Sequence, residues 1–207
     1  MKLPKSYRNV LKAVRSYWVA YGGWRAVLLS PFLHLAALLS VLTYEQWSSE
    51  VWPSTPLNIL PNMLGFSITS FTIFLAIGND RFRNTISAKN KETGKSPLVG
   101  ISSGFFHFIF LQILALTLAV VGKSHCATLL VHLFGTEFDK LPSVIAWVLT
   151  SASFVLRFVA FTVFWYALLS AFPTALSVFR LVGLFADYAP RERQANPHWV
   201  KNAKEDV

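Results

Sequence analysis

The sequence predicts an all-α integral membrane protein with four transmembrane helices, on three observations. Hydrophobic residues make up 54% of the 207 residues and charged residues 14%, whereas an average soluble domain is roughly 25% charged. Four apolar runs reach the length of about 20 residues that crosses a bilayer. The basic residues, which give the chain a net charge of +9, flank those runs instead of lining one face, as the positive-inside rule describes.

Residues 1–21 are predicted to form a basic amphipathic helix at the membrane surface. Apolar residues recur at helical spacing on one side of this segment: Tyr7, Val10, Leu11, Val14 and Trp18. Basic residues occupy the other side: Lys5, Arg8, Lys12 and Arg15. A helix of this kind lies in the plane of the lipid headgroups. The alternative interpretation is a solvated helix that packs on protein.

The four predicted spans occupy residues 24–44, 57–78, 98–122 and 144–172. They form a transmembrane domain of residues 22–188, which a polar tail of residues 189–207 follows. Pro31 is tolerable in a membrane helix, and Pro173 is expected to kink or end the fourth span. Because the loop at 80–97 is basic and the other two loops carry little positive charge, both termini are predicted to be cytoplasmic, in a bacterial inner membrane.

Small and hydrogen-bonding residues align on one face of the second span. They follow one another at spacings of three and four: Asn62, Gly65, Thr69, Thr72, Ala76 and Asn79. Lipid gives no reason for this alignment, whereas close helix packing or a wet pathway does. The stripe therefore predicts a packing seam, within the chain or between subunits. The alternative is the lining of a pore on the axis of a homo-oligomer.

Three polar residues in the other spans need hydrogen-bond or charge partners. Arg157 is expected about 20 Å down the fourth span at 1.5 Å per residue, in the inner half of the bilayer core. It can snorkel to the inner headgroups, pair with Asp80 or with carbonyls at the inner end of the second span, or line a lumen that attracts anions. His107 and Gln112 are expected to make hydrogen bonds between helices.

No catalytic motif is found in the sequence, and no acidic residue falls within the predicted spans. An intramembrane protease or a proton-coupled transporter would normally need an acidic residue there, so we expect no enzyme activity and no cofactor. His125, Cys126 and His132 are a weak case for a metal site, because two histidines and one thiol on a loop fall short of a typical ligand set.

The predicted inner surface is basic. The residues that would contribute to it are Arg8, Lys12, Arg15, Arg81, Arg83, Lys89 and Lys91. Anionic lipid headgroups are the first expected partner, at about 1 kcal/mol per basic residue near the surface. A cytosolic protein is the second. Direct contact with nucleic acid is disfavoured, because no recognisable binding module is present.

The run LPNMLGFSITSFTIFLAIGNDRFR, residues 60–83, resembles a segment of small bacterial inner-membrane proteins in which Leu-Pro-x-hydrophobic-Leu-Gly-Phe-Ser opens the second span. Four spans, short loops and this chain length are also similar to the membrane subunit of Kiwa-type antiphage systems. This resemblance implies a homo-oligomeric membrane sensor that signals to a cytosolic DNA-binding partner. It assigns no functional residues.

The function expected from the sequence is therefore that of a non-enzymatic sensor or scaffold subunit, which holds a cytosolic partner on its basic inner face. The alternative is an oligomeric pore or channel-like effector that the second span lines, with Arg157 favouring anions.

Overall fold

The computed structural model describes residues 4–76, 80–88, 96–124 and 143–195. Within these ranges the chain is helical and contains no strand, which confirms the all-α prediction. The helices are α1 (Lys5–Tyr21), α2 (Gly23–Leu28), α3 (Pro31–Leu42), α4 (Tyr44–Ser48), α5 (Ser54–Ala76), α6 (Asp80–Ser87), α7 (Pro97–Lys123), α8 (Ser143–Leu169) and α9 (Ala171–Ala195).

Three stretches of the described chain are long and apolar enough to cross a membrane. They are Ser54–Ala76 in α5, Pro97–Lys123 in α7, and Thr150–Asp187, which continues from α8 into α9. Their mean hydropathy is 1.6, 2.2 and 1.8. Since each exceeds the roughly 20 residues that a span requires, the structure is compatible with a multi-pass membrane protein.

The predicted first span, 24–44, is divided into the two short helices α2 and α3. Pro31 is the first residue of α3, and its ring and missing N–H prevent α2 from continuing through it. With 12 residues, α3 is about 18 Å long at 1.5 Å per residue, less than the thickness of the hydrocarbon core. Gly22 and Gly23, at φ 112° and 66°, turn the chain from α1 into α2 in a conformation that glycine adopts without strain.

A second proline marks the break between α8 and α9. The break falls at Ser170, three residues before Pro173, whereas the sequence placed a kink or an end at the proline itself. A proline cannot donate to the carbonyl four residues back, which here belongs to Leu169, the last residue of α8. At the break, the Ser170 main-chain N–H and its hydroxyl both donate to the Tyr166 carbonyl, at 2.9 and 2.6 Å.

The three long helices and α3 form a row in which α5 packs on α7, α7 on α8, and α8 on α3. The larger apolar cluster lies along this row and includes Trp47, Trp52, Leu60, Leu111 and Phe161. A smaller cluster joins α5, α6, α7 and α9 nearer the N-terminus of α7: Phe74, Ile86, Phe105 and Leu181. Three further helices pack on α7, which are α1, α6 and α9. Helix α7 is therefore the centre of the fold.

Polar side chains inside the row are paired. Gln112 of α7 is fully buried, and its Nε2 donates to the Ser67 hydroxyl of α5 at 2.9 Å. Ser67 in turn donates to the Met63 carbonyl at 2.6 Å. Among the described residues, no buried side-chain nitrogen or oxygen lacks a hydrogen-bond partner. Lipid supplies no such partners, so these bonds favour one arrangement of the helices over others.

The contact between Gly122 and Trp52 offers a test of this packing. A Cβ added at Gly122 would overlap the ring of Trp52, which is buried. Overpacking costs about 1–3 kcal/mol, more than the roughly 0.5–1 kcal/mol that alanine gains over glycine in a helix. We therefore expect Gly122→Ala to lower the melting temperature of the purified protein.

Gly100→Ala is the matched control on the same helix, because an added Cβ there meets nothing within 4 Å. It should leave the melting temperature unchanged or raise it. Equal effects of the two substitutions would contradict the close approach of Trp52 to α7.

Candidate functional site

The candidate site is a group of four side chains where α1, α7 and α8 meet: Tyr17, Tyr21, His107 and Tyr166, called here the Tyr–His cluster. His107 is 4% exposed. Its Nδ1 lies 2.5 Å from the Tyr17 hydroxyl, and its Nε2 lies 3.2 Å from the Tyr166 hydroxyl. A neutral imidazole has one donor and one acceptor nitrogen, so one tyrosine donates to the ring and the other accepts from it.

Aromatic contacts hold the same residues together. The Tyr21 ring stacks on the His107 ring, with centroids 3.8 Å apart and planes 21° apart. The Tyr21 hydroxyl is 3.5 Å from the Tyr166 hydroxyl. Tyr17 also contacts Phe106, at a centroid distance of 4.6 Å. Tyr17 and Tyr21 are four residues apart and so lie on one face of α1, which places both on the same site.

The two tyrosines of α1 remain neutral at physiological pH. Burial, followed by the effect of Tyr166, raises the pKa of Tyr17 from 10.0 to about 12. The pKa of Tyr21 is raised further, first by burial and then by its hydrogen bond with Tyr166. A raised pKa means that each tyrosine holds its proton more tightly when α1 is docked. Docking of α1 therefore does not depend on these tyrosines near neutral pH, and it weakens only above about pH 10, where the undocked tyrosines lose their protons.

The rest of α1 is exposed. From Lys5 to Ser16 the basic and the apolar side chains are both exposed, including Arg8, Lys12 and Arg15 on one side. The apolar residues Tyr7, Val10, Leu11 and Val14 are 49–63% exposed. The helix therefore combines an end that is anchored to the protein with a longer basic, amphipathic part that makes little contact with the described chain.

The structure places the stripe of the second span on the outside of the row. The described members Asn62, Gly65, Thr69, Thr72 and Ala76 are exposed, whereas the face of α5 that packs inward carries the buried residues Pro56, Leu60, Ser67 and Phe74. A Cβ at Gly65 would meet nothing within 4 Å. Within the chain, the stripe is therefore not the seam between α5 and α7.

Arg157 lies beside the segment that joins the predicted first and second spans. Its Nη1 donates to the main-chain carbonyl of Ser48 in α4 at 3.1 Å, and the neighbouring Trp47 packs on Phe154. The Ser48 carbonyl precedes α5, so it is not one of the partners expected for Arg157 from the sequence.

Several residues singled out in the sequence lie outside the described residues: Asn79, Lys89, Lys91, His125, Cys126 and His132. The side chains of Arg81 and Arg83 are likewise not described. In the part of the chain that is described, no group of three His, Cys, Asp or Glu side chains could hold a metal ion.

Sequence reasoning did not single out three members of the Tyr–His cluster, namely Tyr17, Tyr21 and Tyr166. Two signals in the sequence point to them. One is the pair of tyrosines four residues apart at the end of a basic helix, directly before two glycines. The other is a tyrosine within an apolar run, since a buried tyrosine hydroxyl usually has a hydrogen-bond partner.

Comparison of the chain with protein-family models, with curated proteins and with solved structures found no match.

Removing the Tyr17 hydroxyl should loosen α1. The lost hydrogen bond is worth about 1 kcal/mol, or roughly a fivefold change in the docking equilibrium. We expect Tyr17→Phe to accelerate amide hydrogen exchange in residues 13–21 by about that factor, as measured by mass spectrometry on protein in lipid nanodiscs.

Tyr7→Phe makes the same chemical change on the same helix, at a side chain that is 63% exposed. It should leave the exchange of residues 13–21 unaltered. If the two variants exchange alike, the bond between Tyr17 and His107 does not hold α1 in place.

Proposed function

We propose that the chain is a non-enzymatic sensor or scaffold subunit of a bacterial inner membrane. In this proposal, α1 responds to the charge of the inner membrane surface, and the Tyr–His cluster transmits its position to α7 and α8. The observation that carries the proposal is that a basic, exposed helix is joined to two apolar helices through one buried histidine. Movement of α1 must therefore break or rearrange contacts inside the bundle.

The proposed topology has four spans with both termini in the cytoplasm. The first crossing would be made by α2 and α3 together, since α3 alone is too short. Exposed hydrophobic side chains on both helices support contact with lipid; Trp24, Leu28, Leu38 and Leu42 are 53–71% exposed. This topology puts α1 on the same side as the basic segment between α6 and α7.

The proposed partners follow from charge. Arg8, Lys12 and Arg15 are exposed on a helix with no acidic residue in its first turn, and anionic lipid headgroups are the nearest source of opposite charge. A cytosolic protein with an acidic surface would bind the same face, and its recruitment would be the output of the sensor.

Reversing the charge of α1 tests the proposal. Spin labels on Val14→Cys and Val182→Cys, in a Cys126→Ser background, would report the distance between α1 and α9; both positions are exposed. We expect the distance distribution to differ between zwitterionic and anionic nanodiscs. With Arg8→Glu, Lys12→Glu and Arg15→Glu combined, it should be the same in both, because about 1 kcal/mol of attraction per residue is lost.

The control is Lys123→Glu, a charge reversal at the C-terminal end of α7 and not on α1. This substitution should leave the response of the labelled protein to anionic lipid intact. A distance distribution that does not depend on lipid charge in the otherwise unmodified protein would refute the sensor mechanism.

A second candidate function is an oligomeric pore or channel-like effector, and the exposure of the stripe on α5 favours it. Five aligned small or polar residues face outward, opposite the face that packs on α7. In a homo-oligomer such a face would form either the seam between copies or the lining of a central pathway.

Flux from liposomes separates the pore from the seam. Thr72 is exposed, and its hydroxyl donates to the Ile68 carbonyl. If the stripe lines a pathway, Thr72→Leu should abolish ion and dye flux, because an apolar side chain at a narrow point excludes water.

Thr117→Leu is the matched control. Thr117 is also exposed and donates to the carbonyl four residues back, but it lies on α7. Flux that both substitutions reduce equally, or liposomes that stay tight with the unmodified protein, would contradict the pore.

A further inference from the structure

A cavity of about 380 Å³ lies beside the Tyr–His cluster, between the end of α1, the junction of α2 and α3, α7, and the break between α8 and α9. This volume falls within the roughly 300–1,000 Å³ of typical small-molecule sites. Tyr21, His107 and Tyr166 form part of its wall, and Leu29 and Phe32 give it an apolar side. The cavity therefore has the size and the mixed lining of a ligand site.

Hydroxyl oxygens line the side of the cavity that α8 and α9 form. Ser170, Thr174 and Ser177 each donate to the carbonyl four residues back, at 2.6, 2.8 and 2.9 Å. A hydroxyl that has used its single hydrogen can still accept hydrogen bonds through its lone pairs. This wall consequently offers acceptors, and a ligand that matches it brings its own O–H donors.

The charge of the lining limits the ligand further. Among the described residues that line the cavity there is no Asp, Glu, Lys or Arg. His107 is the one imidazole there, and both of its ring nitrogens already have tyrosine partners. An ionised group without a counter-charge is costly to bury. The cavity therefore favours an uncharged ligand.

We propose that this cavity binds the uncharged, hydroxyl-bearing headgroup of a membrane amphiphile. The two helices α7 and α8 that form its walls belong to apolar stretches of spanning length, so a ligand already dissolved in the bilayer can reach it. Two amphiphiles share this chemistry, a diacylglycerol and a lipid-soluble quinol. Arg25 is adjacent to the lining residue Ala26, which makes an anionic phospholipid the competing ligand.

Gly104 allows the cavity to be filled without substituting a residue of the Tyr–His cluster. It lines the cavity, and a Cβ added there meets nothing within 4 Å. Gly104→Leu would therefore occupy ligand space without a backbone clash. Gly100→Leu is the matched control, because Gly100 lies one turn earlier on α7, is equally open and is not part of the lining. Since neither residue belongs to the cluster, this test can fail while the sensor mechanism stands.

The experiment is native mass spectrometry of the full chain in detergent with short-chain probes. Dioctanoylglycerol is compared with its methyl ether, and decylubiquinol with decylubiquinone; each pair differs in its O–H donors. We expect at least one hydroxyl-bearing probe to bind about tenfold more tightly than its partner, the effect of roughly one hydrogen bond. Which probe binds identifies the source.

Gly104→Leu should weaken that binding by at least about tenfold, and Gly100→Leu should leave it unchanged, with both variants checked for an unaltered melting temperature. If Gly104→Leu does not fold, Ser177→Leu, which fills the cavity from α9, replaces it in the same binding measurement. Three results would each overturn the proposal. They are equal binding by Gly104→Leu and the unmodified protein, no difference within either probe pair, and a preference for dioctanoyl-phosphatidylglycerol.

Discussion

A polar group buried among apolar helices has no water to bond with and needs a partner within the protein, and this constraint governs how the described helices pack. Apolar contact alone does not choose between neighbours in lipid, because lipid tails are as apolar as leucine. The hydrogen bond between Gln112 and Ser67 does choose, since it joins α5 to α7 at one register. The Trp47 indole, which donates to the Ser40 carbonyl at 2.7 Å, fixes α4 against α3 in the same way.

Helix α7 is central because different faces of one long helix meet different neighbours. Phe105 packs in the cluster with α5 and α9, and Leu111 in the cluster with α8. Phe106 and His107 meet α1. His107 bonds to Tyr166 as well, so it lies where α1, α7 and α8 come together. A change at α1 therefore has a direct physical route to the apolar helices.

The sequence predicts the helices themselves well, because length and hydropathy are local properties. It predicts their breaks less well. Pro31 was expected to sit inside one span, yet it separates two short helices. Pro173 disrupts the helix at Ser170, since the bond it cannot make belongs to a carbonyl four residues back. Such effects depend on whether neighbouring helices compensate for the lost bond, which is a property of the packed structure.

The site was harder to predict than the fold, because its residues are distant in the chain. Tyr17 and His107 are 90 positions apart, and His107 and Tyr166 are 59 apart. Periodicity shows which face of a helix is apolar but not which helix it meets. For the same reason the sequence left open whether the stripe on α5 faced inward. The partner of Arg157, the Ser48 carbonyl, is 109 positions away in the chain and was likewise not foreseen.

The exposed stripe on α5 has two features that matter for contact with another copy of the chain, namely satisfied hydroxyl groups and open space at a glycine. Thr69 and Thr72 donate to carbonyls four residues back, at 3.0 Å each, so their hydroxyls do not require water. Open space at Gly65 leaves room for another helix to approach closely. These two features would suit a seam between copies. Helix α5 is at one end of the row, so such a seam would join copies there. It would leave α1 uncovered, because α1 packs on other residues of α7.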